Sequence, residues 1–315
     1  MMVGLDPVKV AFFVEVLVSG LLSGVLYALV ALGFVLIFKA SGVFNFAQGA
    51  MVLVAGLALV RALGWLETRV PFWLALMLAI AFSGALMTGI AWAVERFALR
   101  KLVNQTALTL FMATIGITFV LEGLGQQIFG AQVYKLDIGL PRDSLFMLES
   151  VFDGGILLNQ LDLWSAVLAA LLVVALAIFF QRTQVGRALR AVADDHAAAQ
   201  SVGIPLTRVW FIVWMVAGFV AIAAAAVWGS KVGVQFSLVY VALKALPVII
   251  VGGLTSIPGA IVGGLLIGAG EKLAEVYLGP AVGGGIEHWF AYVVALMVLL
   301  VRPQGLFGDR IIERI

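Results

Sequence analysis

Eight stretches of this chain are long apolar runs without strict alternation, near 10 to 38, 50 to 64, 72 to 94, 107 to 130, 163 to 181, 210 to 229, 246 to 270 and 286 to 301. Runs approaching roughly 20 residues are what an α-helix needs to cross hydrocarbon, whereas barrel strands would alternate every second residue. A chain that is 63% hydrophobic and 11% charged, with a mean hydropathy of +1.16, cannot make a soluble surface. The expected fold is all-α: a polytopic membrane protein of about eight transmembrane segments, forming one transmembrane domain over residues 1–315.

The charge of +2 and the pI near 9.0 reflect topology and not a nucleic-acid partner, because the basic residues sit in short loops. Arg96, Arg100 and Lys101 lie in one such loop, Arg182, Arg187, Arg190 and Arg208 in another, and Arg302, Arg310 and Arg314 in the tail. These three regions are expected in the cytoplasm. The stretch from 131 to 162 has only Lys135 and Arg142 against Asp137, Asp143, Glu149, Asp153 and Asp162, and is expected outside. The first residues lack the basic stretch and small-residue cleavage site of a removable signal, so the start reads as a retained helix. Cysteine is absent, which excludes disulfides, thiolate nucleophiles and sulfur-ligated metals. His196 and His288 stand apart without clustered carboxylates, so no metal site and no cofactor are expected.

Two interruptions carry polar or flexible residues where hydrocarbon would otherwise surround them. The first is Ser41-Gly-Val-Phe-Asn-Phe-Ala-Gln-Gly49, with Asn45, Phe46, Gln48 and Gly49 as candidate pathway residues. The second follows from parity. Going from an outside loop near 230 to an inside tail needs an odd number of crossings, whereas 246 to 270 and 286 to 301 supply two. The stretch 246 to 270 carries Pro247, Gly252, Gly253, Pro258, Gly259, Gly263 and Gly264, so it is expected to be broken or re-entrant, with Gly252 to Gly259 unwound. Paired broken segments in two halves point to a midplane translocation site and an inverted internal repeat. Gly252, Gly253, Ser256, Pro258 and Gly259 join the candidate pathway. Single glycines such as Gly20 and Gly24 are read as close-contact points between helices.

Polar residues recur every four positions on two helices: Glu15, Ser19, Ser23 and Tyr27 on the first, and Thr114, Thr118, Glu122 and Gln126 on the fourth. Each set forms one face. A carboxylate facing lipid costs roughly 2.5 to 3.5 kcal/mol on insertion scales, so Glu122 is expected to meet protein or water. Thr114, Thr118 and Glu122 are candidate pathway residues; the competing reading is hydroxyls bonded to backbone carbonyls, with Glu15 at headgroup level.

Residues 182 to 205 read as a short amphipathic helix outside the bilayer, near 183–204. Leu189, Val192, Ala199 and Val202 form an apolar face, Arg187, Arg190 and Asp194 another, and Gly203 with Pro205 ends the helix. A membrane-surface helix would carry bulky anchors, where this one has alanines. Small residues with charges suit docking in a groove on another protein.

The segments Phe44-Asn-Phe-Ala-Gln-Gly49, Gly186-Arg-Ala-Leu-Arg-Ala191 with Gly203-Ile204, Gly252-Gly-Leu-Thr-Ser-Ile-Pro-Gly-Ala260 and Arg302-Pro-Gln-Gly-Leu-Phe-Gly308 together resemble the membrane subunits of ABC importers for branched-chain amino acids, urea and related small amides. The resemblance covers nearly the whole chain. It implies a pore subunit of the bacterial cytoplasmic (inner) membrane that pairs with a second homologous permease subunit, as a heterodimer or a homodimer. It also implies two cytoplasmic ATP-binding subunits and an extracytoplasmic solute-binding protein, with membrane lipid around them and no nucleic acid. Gly186, Arg187, Arg190, Asp194, Asp195, Ala198 and Gly203 would then form the ATPase-coupling helix. Where many relatives have histidine, this chain has Gln48, which keeps hydrogen bonding and loses titration.

The chain carries no Gly-x-x-x-x-Gly-Lys-Ser/Thr loop, so P-loop hydrolysis of ATP is expected on partners and the chain itself is not expected to be an enzyme. Asn45, Gln48, Ser256 and bared carbonyls suit small neutral or zwitterionic solutes, without separating leucine from urea. The alternative is an ion-gradient-driven secondary transporter or channel in which Glu15 or Glu122 binds the coupling ion.

Overall fold

The structure, a computed structural model, describes residues 7–42, 44–102, 105–147, 149, 152, 155–194 and 196–308. The expected Asp153, Asp195, Arg310 and Arg314 lie outside the described residues. Eleven helices are described: α1 (Pro7–Ser41), α2 (Gln48–Leu66), α3 (Phe72–Phe97), α4 (Ala107–Phe129), α5 (Gln160–Arg182), α6 (Gln184–Asp194), α7 (His196–Ser201), α8 (Leu206–Val232), α9 (Val239–Gly252), α10 (Ile257–Val282) and α11 (Phe290–Val301). Seven of the helices are long and apolar enough to cross a bilayer, and the segments 236–252 and 290–301 are shorter apolar helices. One feature departs from the all-α reading. Strands β1 (Ser144–Met147) and β2 (Ile156–Asn159) form an antiparallel hairpin between α4 and α5.

The chain order contains the same arrangement twice, in opposite senses. In the first half the long α1 is followed by the short α2, then α3 and α4; in the second the long α8 is followed by the short α9, then α10 and α11. Packing repeats with it. Helix α1 lies on α10 as α8 lies on α3, α2 packs on α3 and α4 as α9 packs on α10 and α11, and α2 and α9 touch each other. This is the expected inverted repeat, and α5 to α7 connect its halves.

Orientation follows from contacts. Glu15 Oε2 accepts a hydrogen bond from the Leu157 amide of the hairpin, so the start of α1 is on the side of the acidic connection, the outside. Helix α1 then runs inward. It lies antiparallel on α10: Phe12 and Phe13 meet Tyr277 near the end of α10, and Gly20 and Gly24 face Gly268 and Gly264. A side chain at Gly24 or Gly264 would strike the opposite backbone, so this seam depends on missing Cβ atoms, as small residues permit in membranes.

The stretch 246 to 270 is not one broken segment. It belongs to two helices, α9 and α10, joined by a turn at 253–256. Helix α9 runs inward, α10 outward and α11 inward, which gives the odd number of crossings that the inside tail requires. Among the described residues, seven helices long and apolar enough to cross and two shorter apolar ones thus stand where about eight segments were expected, because the apolar pattern continues across the turn.

Candidate translocation site

The first interruption folds back into the bilayer. After α1 ends at Ser41 the chain returns along it, with Phe44 stacked on Phe34, so that the Gln48 side chain packs on Gly33 and its Nε2 donates to the Ala217 carbonyl of α8 at 3.4 Å. Ala217 is eleven residues into α8, or ~16 Å at 1.5 Å per residue, about half the thickness of the hydrocarbon core. Helix α2 thus starts mid-membrane and runs outward, with Gly56 against Ala225 and Val234 further along.

Asn45 and Gln48 are both 0% exposed and spend their amides on the protein. Asn45 Nδ2 donates to Gln48 Oε1 at 3.4 Å, and Asn45 Oδ1 accepts the Ala47 amide at 3.1 Å. On α4, the buried Thr114 Oγ1 accepts the Phe46 amide at 3.4 Å, and its own hydrogen is within reach of the Phe44 and Phe111 carbonyls. These groups satisfy a stretch of irregular backbone that hydrocarbon would not tolerate. In this conformation they hold the bend. Thr118 bonds the carbonyl of Thr114, while Glu122 is half-buried one turn further out and has no ion-pair partner among the described residues.

Beside the bend lies a cavity of about 260 Å³ lined by Phe34, Phe44, Phe46, Thr118, Phe119 and, from α9, Tyr240 and Leu243. Phe34 stacks on Phe44, and Phe46 meets Phe44 and Phe111 edge-on. Its floor is a junction that the sequence pattern does not reveal. The carbonyl of Val239, at the start of α9, packs on Gly49, at the start of α2. The 19-residue α2 and the 14-residue α9 thus begin together, one running out and one in. The backbone break at 233–238 is the true counterpart of the bend at Phe44 to Ala47. Its markers in the sequence, Gly233, Gln235 and Ser237, are isolated, whereas Gly252 to Gly259 is a conspicuous cluster.

That cluster sits at the cytoplasmic edge and not in the middle of the bilayer. The Leu306 and Phe307 amides of the tail bond the Val251 and Gly252 carbonyls, at 2.8 and 3.0 Å, capping the end of α9 that would otherwise present bare acceptors. Gly253 takes a φ of +109° and lies against Gly308, which a side chain would prevent. Ser256 Oγ accepts the Gly259 amide as the N-cap of α10, with Pro258 in its first turn. The absent side chains of Gly252 and Gly259 let the two helices close on each other.

The amphipathic segment is two helices, α6 and α7, and its apolar face is turned inward. Leu189, Val192 and Ala199 are buried in this chain's own core, whereas Val202 is 75% exposed. Helix α6 rests on α1 and α5. Gly186 abuts the Phe180 carbonyl, and Arg190 donates to the carbonyls of Phe180 and Gln181. Arg190 therefore binds α6 to the end of α5. Arg187 and Ala198 are exposed, and Gly203 ends α7 with a φ of +87°. The Asp194 side chain lies outside what the structure describes. Between α6, α1 and the α9–α10 turn is a cytoplasmic cavity of about 200 Å³ reached by Lys39, Arg190 and Ser256.

A second polar group emerges only in the fold. Lys244 of α9 and Glu271 of α10 form an ion pair at 2.9 Å, and Tyr27 donates to the same Glu271 oxygen at 3.3 Å. Tyr27 belongs to the polar stripe of α1, but its partners come from positions more than two hundred residues away, which spacing cannot reveal.

A protein-family model described as "Branched-chain amino acid transport system / permease component" matches residues 16–302. The chain belongs to that family. The permease is 29% identical to the high-affinity branched-chain amino acid transport system permease protein LivH of Escherichia coli K12, over 96% of this chain and 98% of LivH. It is 26% identical to the corresponding protein BraD of Pseudomonas aeruginosa, over 98% and 99%. Among solved structures it shares its fold with a chain of PsaBC from Streptococcus pneumoniae in complex with Fab, with a TM-score of 0.52, 14% identity, and 95% and 98% of the two chains covered. The permease is a multi-pass inner-membrane protein of ABC type.

Proposed function

We propose that this permease is the pore subunit of an ATP-driven importer that carries branched-chain amino acids inward by alternating access. The observation that carries the reading is the meeting of α2 and α9 mid-membrane beside an apolar cavity of about 260 Å³, the discontinuous-helix arrangement that transporters place at their substrate sites. Phenylalanine and leucine side chains on its walls suit a branched aliphatic side chain better than urea. The pathway runs past Phe46, Thr118 and Glu122; Asn45, Gln48, Gly49 and Thr114 keep its bend in place.

Hydrolysis belongs to two cytoplasmic ATP-binding subunits, and cargo arrives from an extracytoplasmic solute-binding protein. A second pore subunit, homologous or identical, completes the pathway. Helices α6 and α7 receive the motion through their outer face, which includes Arg187 and Ala198. Arg190 and Gly186 pass it to α5, and the cytoplasmic turn with Gly252, Gly253, Ser256, Pro258 and Gly259 moves with the half-helix α9. Packed helices with two discrete arrangements switch in this way.

Reconstitution of the permease with the subunits that co-purify in mild detergent tests the reading. Leucine uptake that requires ATP and is blocked by vanadate is expected. Uptake driven by a proton or sodium gradient without ATP would overturn it.

A further inference from the structure

An amino acid carries a carboxylate through the membrane, and the structure offers a cation for it. Lys244 lies five residues into α9, ~7.5 Å inward of the Gly49 junction, and one helical turn after Tyr240 on the cavity wall. Its ion-pair partner is held firmly. Glu271 is buried to 4% side-chain exposure and its Oε1 accepts from both Lys244 and Tyr27. Lys244 itself is 34% exposed. Among the described residues its ammonium has one acceptor, Glu271 Oε1, with the Tyr27 ring 5.9 Å away.

An ammonium has three donors, so two remain for another acceptor. Turned toward lipid, a charge at this depth is among the least tolerated placements in a membrane protein, and such residues line pathways or meet partners. Holding the fold together does not account for the pair, since apolar side chains of equal volume commonly replace a buried ion pair without loss. What the position adds is a cation with two donors to spare, one helical turn from Tyr240 of the cavity wall, although Lys244 is not itself among the residues that line the cavity.

We infer that Lys244 binds the cargo's carboxylate during passage, with the aliphatic side chain in the cavity of Phe44, Phe46, Phe119 and Leu243, so that the permease itself discriminates against neutral amides. Glu271 and Tyr27 act as positioning residues that keep the ammonium aimed. The inference rests on the proposed importer function and adds the residue that sets its substrate class.

The test measures binding of leucine and of leucinamide to the detergent-solubilised assembly without its solute-binding protein, by equilibrium dialysis. The intact assembly is expected to prefer leucine by about tenfold or more, the scale of one charge-assisted hydrogen bond. Lys244→Arg should keep that preference and Lys244→Met should erase it. The double variant Lys244→Met/Glu271→Gln, which removes the orphaned carboxylate, should restore assembly yield but not the preference. A preference that survives Lys244→Met, returns in the double variant, or is absent from the intact assembly overturns the inference. Leucine uptake by the intact, receptor-supplied assembly separates the failures: normal uptake without discrimination sinks this inference alone, and absent uptake sinks the importer function as well.

Discussion

The junction of α2 and α9 can be probed by adding one carbon. A Cβ at Gly49 would lie 2.6 Å from the Val239 carbonyl oxygen and 3.0 Å from the Ala242 Cβ, where real contacts need ~3.4 Å or more, so the two helix starts must part by several tenths of an ångström. Overpacking of this kind costs about 1–3 kcal/mol. Against it stands the gain of replacing glycine in a helix, about 0.8–1 kcal/mol in an interior and less at the second residue of α2. The steric term wins: Gly49→Ala should lose ~1 kcal/mol of stability and Gly49→Val ~2 kcal/mol or more. Gly64, on the same helix, has nothing within 4 Å of its notional Cβ, so Gly64→Ala should gain up to ~1 kcal/mol. Thermal unfolding of the detergent-solubilised variants, followed by size exclusion, reads the sign. Leucine uptake should fall further than stability in Gly49→Val, because parting the helix starts reshapes the cavity. A Gly49→Ala variant stabilised like Gly64→Ala would refute the reasoning, since it would mean that no backbone stands there.

Arg190→Gln removes the charged donor to the Phe180 and Gln181 carbonyls, bonds of about 1.5–3 kcal/mol each; ATP hydrolysis by the assembly should persist while uptake per ATP falls severalfold. Arg187→Glu changes an exposed residue and should instead reduce the ATP-binding subunits recovered with the permease on affinity purification. Gly264→Leu drives a side chain into the Gly24 carbonyl and should abolish the monodisperse peak in size exclusion, whereas Gly116→Leu, at a helical position with no atom within 4 Å, should leave it intact.

Class, helical fold and inverted repeat are legible in the sequence because the bilayer imposes them locally: hydrocarbon length fixes the runs and basic loops fix the sides. The bend around Asn45 is legible for the same reason, as side-chain amides between two apolar runs must meet protein or water and not lipid. Depth is not. Gly252 to Gly259 resembles a midplane break because the helix pattern continues through Pro247 and resumes at Ile257, and nothing local says that α9 starts halfway down. The direction of Arg190 is equally hidden, since an arginine on an amphipathic helix serves a partner or its own chain with the same spacing. Lys244 stands alone in an apolar run and Glu271 sits beside Lys272 in another, and only the fold brings α9, α10 and α1 together around them.

The absence of cysteine gives a clean background for the most direct test of the cavity as a water-filled pathway. Single cysteines at Thr118 and Tyr240 line it, and one at Phe82, exposed in the apolar α3 and not among the cavity's lining residues, serves as the control. In membranes holding the full assembly, a membrane-impermeant thiol reagent is expected to label Thr118→Cys and Tyr240→Cys, at rates that change when ATP and vanadate trap the transporter, and to leave Phe82→Cys untouched. Equal inertness at all three positions, in both states, would contradict the account.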